Sequence, residues 1–326
     1  MKIKHIFKIL AAGMILGGCQ PQEMMVKDVK MVELTKTAGQ AEIPMTVELN
    51  AEETECVAKT PENVFKMHHA ARDFQFNNIK MWFAYPALFK EHRVWIAQDD
   101  FQRTLLPLLD KALPPAVSGK TIVIDPGHGG KDVGAVGKIS QEKNLNWAIS
   151  RLVGDILTAR GFTVIYTRSG DETVELAPRA AKAAGTGADL FVAIHCNAAP
   201  NPQANGIETF SISPRGAANS NDNADHSLAV NANAEAKGYA HTVESFMLSA
   251  AIQQELIRAT KATDRGAKRA RFHVLYNNTV PAALVECGFM SYPAEEKKLN
   301  TTEYQQILAM AIANGITKYA EQNTTK

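Results

Sequence analysis

Residues 121–130 read Thr-Ile-Val-Ile-Asp-Pro-Gly-His-Gly-Gly, an apolar run that ends abruptly in glycines and places the imidazole of His128 at its carboxyl end. A short, β-branched apolar run of this kind predicts a strand buried on both faces, as in a parallel sheet. Open α/β sheets bind ligands beyond the carboxyl ends of their strands. The stretch therefore indicates both a fold class and the sheet edge where a functional site lies.

Two other predicted strands end in the same way. The strand at 188–194 is followed by His195, and the strand at 282–286 ends in Glu286. The carboxyl ends of parallel strands meet at one edge of a sheet, so His128, His195 and Glu286 occupy equivalent positions. Two imidazoles and a carboxylate in such positions suggest a metal hydrolase.

A zinc site needs a third protein ligand, because catalytic zinc typically keeps three protein groups and leaves one position for water. Glu142 is the candidate, since it opens the helix predicted after the glycine-rich turn, behind Ser140 as a suitable N-cap. A carboxylate in a first helical turn also complements the helix dipole, and on its own this simpler role would be preferred. The combination with His128 and His195 favours the metal ligand.

The glycine-rich turn does not match known phosphate-binding loops. Both the dinucleotide fingerprint and the Walker loop would require glycine at the position of Asp132. The chain also lacks the His-Glu-x-x-His and Gly-x-Ser-x-Gly motifs of other hydrolases. These common explanations of a glycine-rich turn are therefore excluded.

From residue 119 onwards, strand and helix patterns alternate, which predicts an α/β fold with a mostly parallel twisted sheet and helices on both faces. The catalytic domain is predicted at 119–322, with an insertion at 213–243 that is rich in Ala, Asn and Gly and forms either a lid or a disordered segment. The predicted strands are 121–125, 162–167, 188–194, 206–212 and 282–286, and the predicted helices are 141–160, 175–184, 244–261 and 302–320.

The first residues predict export. Three lysines precede the apolar stretch 9–16, which is too short to span a bilayer. The sequence Leu-Gly-Gly-Cys at 16–19 resembles a bacterial lipobox, in which the cysteine becomes the acylated first residue of the mature protein. Residues 1–19 are thus predicted to be a lipoprotein signal and Cys19 the lipidation site. The alternative is an ordinary signal peptide with an incidental cysteine.

Residues 20–61 are polar and lack a sustained period, so a flexible tether is expected there. A small accessory α+β unit is predicted at 62–115, ending at Pro114-Pro115. Its Trp82 and Trp95 suit either sugar stacking or core packing.

Removing residues 1–18 takes three lysines from 35 basic residues and none from 34 acidic ones, leaving a charge of about −2. This balance does not indicate a nucleic-acid partner.

With Cys19 lipidated, the odd number of remaining cysteines argues against a disulfide scaffold. Cys196 and Cys287 directly follow His195 and Glu286, and a pair of buried thiols is expected there rather than a disulfide.

Taken together, the motifs of residues 120–319 resemble the zinc-dependent N-acetylmuramoyl-L-alanine amidases of the amidase 3 family. The resemblance is carried by Asp-Pro-Gly-His-Gly-Gly-Lys-Asp-x-Gly-Ala at 125–135, Glu-Lys-Asn-Leu-Asn at 142–146, Thr-Arg at 167–168, Ala-Ile-His-Cys-Asn-Ala at 193–198 and Pro-Ala-Ala-Leu-Val-Glu-Cys-Gly-Phe at 281–289. It implies one zinc ion held by His128, Glu142 and His195, with Glu286 as the catalytic carboxylate. Arg179 and Asn197 match family positions that bind substrate or brace the site.

The resemblance also implies the reaction, which is hydrolysis of the amide between N-acetylmuramic acid and L-alanine of the peptidoglycan stem peptide. Peptidoglycan and a protein activator are the implied partners, and the periplasmic face of the outer membrane is the expected location of a lipoprotein with Gln20 after Cys19. Two alternatives remain: an inactive wall-binding or activator protein of the same fold, and a zinc peptidase acting within the stem peptide.

Two features depart from the family pattern. Tyr292 stands where relatives commonly carry asparagine, which places the geometry of the loop after residue 289 in question. The insertion at 213–243 occupies the place of an inhibitory helix found in some relatives, but it has few apolar anchors, so a mobile lid is expected. Weak autoinhibition is the alternative, for which the acidic residues Asp222, Asp225, Glu235 and Glu244 are available. The histidines His226, His241 and His273 are not assigned to zinc.

Overall fold

The computed structural model describes residues 7–9, 23–109, 119–221 and 235–321. Two compact units divide the chain, Met1–Ala112 and Leu113–Lys326, and each is described by itself. Cys19 and the Pro114-Pro115 boundary lie outside the described residues, as does the predicted signal apart from the backbone of residues 7–9. In the described parts of the chain, no helix is long and apolar enough to cross a membrane.

The first unit is built mainly from antiparallel strands. One sheet has the order β1-β4-β5-β6-β7-β8 and the other the order β2-β3-β10-β9. The strands are β1 (Phe7–Ile9), β2 (Glu23–Val26), β3 (Val29–Glu33), β4 (Thr46–Leu49), β5 (Glu55–Lys59), β6 (Val64–His68), β7 (Asp73–Phe76), β8 (Ile79–Trp82), β9 (Leu88–Lys90) and β10 (Arg93–Ala97). Helix α1 is Leu34–Gln40, and α2 (Gln98–Asp100) continues through a π-helical turn, Phe101–Leu105, into α3 (Leu106–Leu108).

The prediction of a flexible tether at 20–61 is wrong for the described part of that range. Strands β2 to β5 and helix α1 occupy residues 23–59. Each strand there buries at most two side chains, such as Val47 and Leu49 of β4, so no run is long enough to reveal its period. The Glu33 carboxylate caps α1 by accepting from the backbone N–H groups of Thr35 and Lys36.

The accessory unit therefore begins well before residue 62 and is mostly β rather than evenly α+β. Trp95 is buried in a small apolar cluster with Met31 and Ala97, which is the core-packing role rather than a sugar-stacking one. The two-residue Asn77-Asn78 turn, with positive φ at both residues, joins β7 to β8. This is the backbone that a tight hairpin needs, and asparagine tolerates it better than most residues.

The second unit is the predicted α/β domain. Its sheet has the order β15-β14-β16-β13-β11-β12, in which β16, β13, β11 and β12 run parallel and β14 is antiparallel to β16. The strands are β11 (Thr121–Pro126), β12 (Thr163–Tyr166), β13 (Leu190–Asn197), β14 (Ile207–Ser211), β15 (Asp264–Arg269) and β16 (Ala282–Phe289). The helices are α4 (Glu142–Ala159), α5 (Leu176–Thr186), α6 (Thr242–Thr260), α7 (His273–Tyr276), α8 (Pro293–Leu299) and α9 (Thr302–Glu321), with a 3-10 turn at Lys237–His241.

Two groups of helices flank this sheet: α9 contacts both α4 and α6, and α5 contacts α7. All predicted strands and long helices of the domain are found within a few residues of their expected bounds, while β15 was missed. Its sequence, Asp-Arg-Gly-Ala-Lys-Arg, reads as an exposed loop, yet Lys268 and Arg269 are buried. Partners in the tertiary structure, notably Glu208 for Lys268, compensate the charge.

The insertion at 213–243 is only partly described, and residues 222–234 lie outside. The described beginning is packed rather than lid-like: Ala217 and Ala218 are buried, and Ser220 and Arg269 exchange two hydrogen bonds. A mobile lid starting at residue 213 is therefore wrong. The loop that contains Tyr292 forms a turn, in which the Tyr292 N–H donates to the Phe289 carbonyl at 3.1 Å.

Candidate active site

His128 lies just after β11 with a left-handed backbone, φ +61°, and the following glycines also have positive φ. Such a backbone is strained for a residue with a side chain, so its surroundings must hold it. Arg179 donates to the carbonyl oxygens of Pro126 and His128 at 2.9 and 2.6 Å, and Arg168 donates to that of Pro126 at 2.9 Å. Two buried guanidinium groups thus fix the turn that presents the imidazole.

Glu142 is the first residue of α4, and its carboxylate is buried among donors. Its Oε2 accepts from the backbone N–H of Ala135 at 2.8 Å, and its Oε1 accepts from Asn146 Nδ2 at 3.1 Å and from the backbone N–H of Cys196 at 3.2 Å. Burial would raise the pKa of this carboxyl, but the hydrogen bonds and positive charge of His128 and His195 hold the pKa well below its usual range. Glu142 is therefore a carboxylate anion at neutral pH.

The three predicted ligands converge. Glu142 Oε2 lies 3.1 Å from His128 Nε2, and Glu142 Oε1 lies 3.0 Å from His195 Nδ1. One donor atom from each residue falls within 4.8 Å of the others. Three donor atoms this close together can bind one small dication between them.

The donor set fits zinc. Two imidazole nitrogens and one carboxylate oxygen form a known catalytic zinc combination, and three ligands leave a position for water. A Cβ at Gly127 would overlap the His195 ring, and a Cβ at Gly134 would lie 2.6 Å from Glu142 Oε2. Both glycines are therefore needed for the ligand side chains to come together.

Asp132 orients His128. Its Oδ2 lies 2.8 Å from His128 Nδ1, and its Oδ1 accepts from the backbone N–H of Gly134 at 3.2 Å. A carboxylate on the second ring nitrogen fixes the tautomer, so that the other nitrogen keeps its lone pair for the metal. Burial disfavours the imidazolium form of His128, but the hydrogen bonds and negative charges of Glu142 and Asp132 outweigh this effect and raise its pKa.

Glu286 lies on β16 next to His195, its register partner on β13. Its Oε2 is buried and has no hydrogen-bond partner among the described residues. Burial raises the pKa of Glu286 well above its ordinary value, and the charges of Glu142 and Glu208 act in the same direction. A carboxyl group with a raised pKa beside a metal site can both accept and return a proton.

The alternative that Glu286 serves as a structural ion-pair partner does not hold. Arg265 pairs with Glu208 at 2.8 Å, and Arg168 donates its hydrogen bonds to backbone carbonyls. The remaining charge of Glu208 is balanced by Lys268 at 2.7 Å. Asn197 also donates to Glu208, at 2.9 Å, and so braces this network.

Arg179 likewise has a bracing arrangement. Its Nη1 pairs with the buried Asp125 at 2.7 Å, and its other contacts are backbone carbonyls. Cys196 and Cys287 are buried free thiols, as expected from the sequence.

Sequence reasoning missed Asp132, Asn146 and Glu208 as parts of the site. The first two stand inside the motifs of the glycine-rich turn and of α4, which was the available signal.

The site opens into a cleft of about 340 Å³. Its lining combines the polar side chains of His128, His195 and Glu286 with apolar ones. The apolar residues of the lining are Val174, Leu176, Phe272, Val274 and Leu284. His273 also lines the cleft but is not one of the converging ligands, and His241 lies in the 3-10 turn before α6.

Comparisons of sequence and of structure both match this chain to N-acetylmuramoyl-L-alanine amidases or their relatives. A family model described as N-acetylmuramoyl-L-alanine amidase (Amidase_3) matches residues 122–318. The uncharacterized protein YqiI of Bacillus subtilis is 36% identical over 219 residues, covering 67% of this chain and 93% of YqiI. The N-acetylmuramoyl-L-alanine amidase AmiA of Escherichia coli is 34% identical over 219 residues, covering 61% of this chain and 76% of AmiA.

A solved structure of the CwlD amidase from Clostridioides difficile, in complex with the GerS lipoprotein, superposes with a TM-score of 0.51 at 30% identity. It covers 62% of this chain and 98% of that one. The residues matched by the family model, 122–318, lie within the second unit.

Proposed function

The chain belongs to the Amidase_3 family of N-acetylmuramoyl-L-alanine amidases, and we propose that it hydrolyses its peptidoglycan substrate with one zinc ion held by His128, Glu142 and His195. The bond cleaved joins the lactyl carbonyl of N-acetylmuramic acid to the nitrogen of the stem peptide's L-alanine. The observation that carries the proposal is the convergence of the three ligand atoms within 4.8 Å, next to Glu286, whose buried Oε2 has no hydrogen-bond partner in the part of the chain that the structure describes.

When bound, zinc supplies an acidified water and polarises the scissile carbonyl. Residues of the chain carry out the proton transfers and hold the ligands in position. Glu286 accepts the proton of the attacking water and delivers it to the departing amine nitrogen, because an amine anion is a very poor leaving group. In the metal-free protein burial raises the pKa of Glu286, and the positive charge of a bound dication would lower that pKa, so that the carboxylate could accept a proton and return it. Asp132 holds the tautomer of His128, and Arg168 and Arg179 hold the turn that carries it.

Two other functions fit less well. An inactive wall-binding protein of this fold has no need for three converging ligands and an unpartnered buried carboxyl. A zinc peptidase cutting within the stem peptide would usually show a His-x-x-Glu ligand motif, whereas this chain has Lys131 at the fourth position of that motif. The amidase reaction also agrees with the family.

We further propose that the protein is exported and anchored to the membrane by a lipid on Cys19. The lipobox-like sequence at 16–19 supports the anchor, and the peptidoglycan substrate of the family supports the cell envelope as its place. The periplasmic face of the outer membrane is the location we propose, on the basis of Gln20. A protein activator is a further proposed partner, since the related CwlD amidase was solved in complex with a lipoprotein.

Mass spectrometry of peptidoglycan digests tests the function. The full-length protein should release intact stem peptides with a free L-alanine amino terminus, and chelation should abolish the release. Glu286→Gln with the same zinc content is the matched control and should release none. Internally cut peptides would establish a peptidase instead. No release by the zinc-loaded protein, with or without envelope extract, would favour a binding protein.

A further inference from the structure

The chain enters the metal ligand Glu142 through a tight turn of backbone, residues 135–142, which we call the entry hairpin. The Glu142 N–H donates to the Ala135 carbonyl at 2.9 Å, and the Ala135 N–H donates back to Glu142 Oε2 at 2.8 Å. Val136 and Gln141 pair in an antiparallel bridge. Because the Glu142 carboxylate is bonded to the backbone of the entry hairpin, a shift of the hairpin would move that carboxylate.

Side-chain packing does not hold the tip of the entry hairpin in place. The two large apolar side chains there, Val136 and Ile139, are 69% and 57% exposed, so they bury little surface against the domain. The tip closes on itself through a hydrogen bond from the Gly137 N–H to the Ser140 carbonyl at 3.0 Å. Its position on the domain therefore depends on a contact of another kind.

A buried carboxylate on α8 supplies such a contact. Glu296 is 2% exposed, and its Oε1 accepts a hydrogen bond from the backbone N–H of Ile139 at 2.6 Å, across 157 residues of sequence. Hydrogen bonds from N–H groups to a carboxylate are stronger than those between neutral groups. Gly137 leaves room for this contact, because a Cβ at that position would overlap Glu296 Oε1.

Helix α8 is also tied to the strand that carries Glu286. It begins with Pro293, a few residues after β16 ends at Phe289, and it contacts that strand. Glu296 lies in the first turn of α8. Its carboxylate thus links the element that follows Glu286 to the hairpin that leads into Glu142.

We propose that Glu296 is a positioning residue for the metal site: through Ile139 and the entry hairpin, it holds the Glu142 carboxylate where the three ligands converge. This inference rests on the proposed function. Glu296 contacts neither the metal ligands nor the reacting atoms in this role, so its loss should change the geometry of the site while leaving every ligand present.

The experiment measures the zinc affinity of the full-length protein by competition with a chromogenic chelator, and the visible absorption spectrum of the cobalt(II)-substituted protein. Glu296→Ala should lower the zinc affinity by about tenfold, the lower end of the effect of residues that support metal ligands, and should alter the cobalt spectrum. Glu296→Gln keeps an oxygen that can accept from the Ile139 N–H, so it should largely retain both properties.

Asp189→Ala is the matched control. Asp189 Oδ2 also accepts from a backbone N–H, that of Thr121 at 2.9 Å, and a Cβ at Gly119 would also overlap this carboxylate. The contact lies at the start of β11, at the opposite end of that strand from His128. Asp189→Ala should lower the thermal unfolding temperature but leave the zinc affinity and the cobalt spectrum unchanged.

Gly137→Ala tests the same contact from the side of the hairpin. The added methyl group would displace the carboxylate from the Ile139 N–H, so the zinc affinity should fall as it does in Glu296→Ala. In the double variant the carboxylate is absent and the methyl group has room, so the two losses should not add. Gly137→Ala also carries the test if Glu296→Ala fails to fold.

The outcomes separate the positioning role from the function itself. Wild-type zinc affinity in Glu296→Ala and Gly137→Ala, or an equal loss in Asp189→Ala, would refute the role of Glu296 and leave the amidase function standing. Additive losses in the double variant would also refute it, because the two residues would then act independently. If the zinc-loaded wild type releases no intact stem peptide, the proposed function is wrong, whatever the order of the zinc affinities.

Discussion

Glu286 and Glu208 lie directly opposite each other on the paired strands β16 and β14. Directly opposite residues of an antiparallel pair point to the same face of the sheet. Lys268 and Arg265 balance the charge of Glu208 at 2.7 and 2.8 Å, whereas Glu286 Oε2 is buried without a hydrogen-bond partner in the described parts of the chain. One carboxylate is thus structural and neutralised, and its neighbour is left to exchange protons.

Replacement of Glu286 by glutamine should separate catalysis from stability. We expect kcat to fall by about 10²-fold or more, since the proton-transfer group is lost. Zinc affinity should be unchanged, because Glu286 is not one of the converging ligands. The free energy of unfolding should not decrease, because the change replaces a carboxyl whose buried Oε2 has no hydrogen-bond partner among the described residues. Activity assays, zinc titration and urea unfolding check the three parts; a large loss of stability would contradict the account.

The ionisation of Glu286 also sets the direction in which the stability of the protein changes with pH. In the metal-free protein, Glu286 has a pKa raised well above its ordinary value of 4.5, chiefly by burial. Between 4.5 and that raised pKa the folded chain keeps a proton that the unfolded chain has released, so this group makes stability fall as the pH rises.

Glu286→Gln removes this effect. The unfolding free energy of the variant relative to the wild type should therefore increase as the pH rises from about 4.5 to 7. Urea unfolding of both proteins across this range is the measurement. A difference that is constant with pH would mean that the pKa of Glu286 is not raised.

Replacement of Asp132 by alanine should weaken metal binding. The carboxylate that orients His128 would be lost, and loss of such a partner typically costs 10- to 100-fold in metal affinity or activity. Competition with a chromogenic chelator measures the affinity without reference to activity. Asp171→Asn is the control, because Asp171 contacts the backbone N–H of Gly130 on the same turn but none of the ligands. Equal affinities of Asp132→Ala and the wild type would contradict the orienting role.

Replacement of Glu208 by glutamine should destabilise the second unit. Lys268 and Arg265 would lose the carboxylate that they share, and breaking a buried ion pair costs about 3–5 kcal/mol. Asp155→Asn, which removes an exposed pair with Arg151 at 3.9 Å, should cost about 0–1 kcal/mol. Denaturant unfolding compares the two variants. Similar small losses in both would show that the buried network contributes little.

The α/β domain could be predicted because its strands are continuous apolar runs that end in glycine or polar residues. The converging ligands could be predicted because parallel strands bring their carboxyl ends together. Strand β15 could not, since its buried Lys268 and Arg269 are compatible with a strand only once their tertiary partners are known. The orienting contact of Asp132 depends on a left-handed backbone at His128, which the local sequence does not reveal.

The first unit was predicted least well. Its strands between residues 23 and 59 each alternate over only four or five residues, which is too short for a period to stand out from a polar background. The burial of Val47 and Cys56 becomes evident only when β4 and β5 are paired. Composition was therefore a poor guide to order in this part of the chain.

Hydrolysis in heavy-oxygen water tests the central claim most directly, because it marks the atom to which water is added. Purified peptidoglycan is digested by the zinc-loaded protein in this water, and the glycan and peptide products are analysed by mass spectrometry. We predict that one heavy oxygen enters the lactyl carboxyl group of N-acetylmuramic acid, that the released stem peptide carries none, and that both products disappear on chelation. Heavy oxygen in a carboxyl group of the peptide would contradict the account and identify a peptidase.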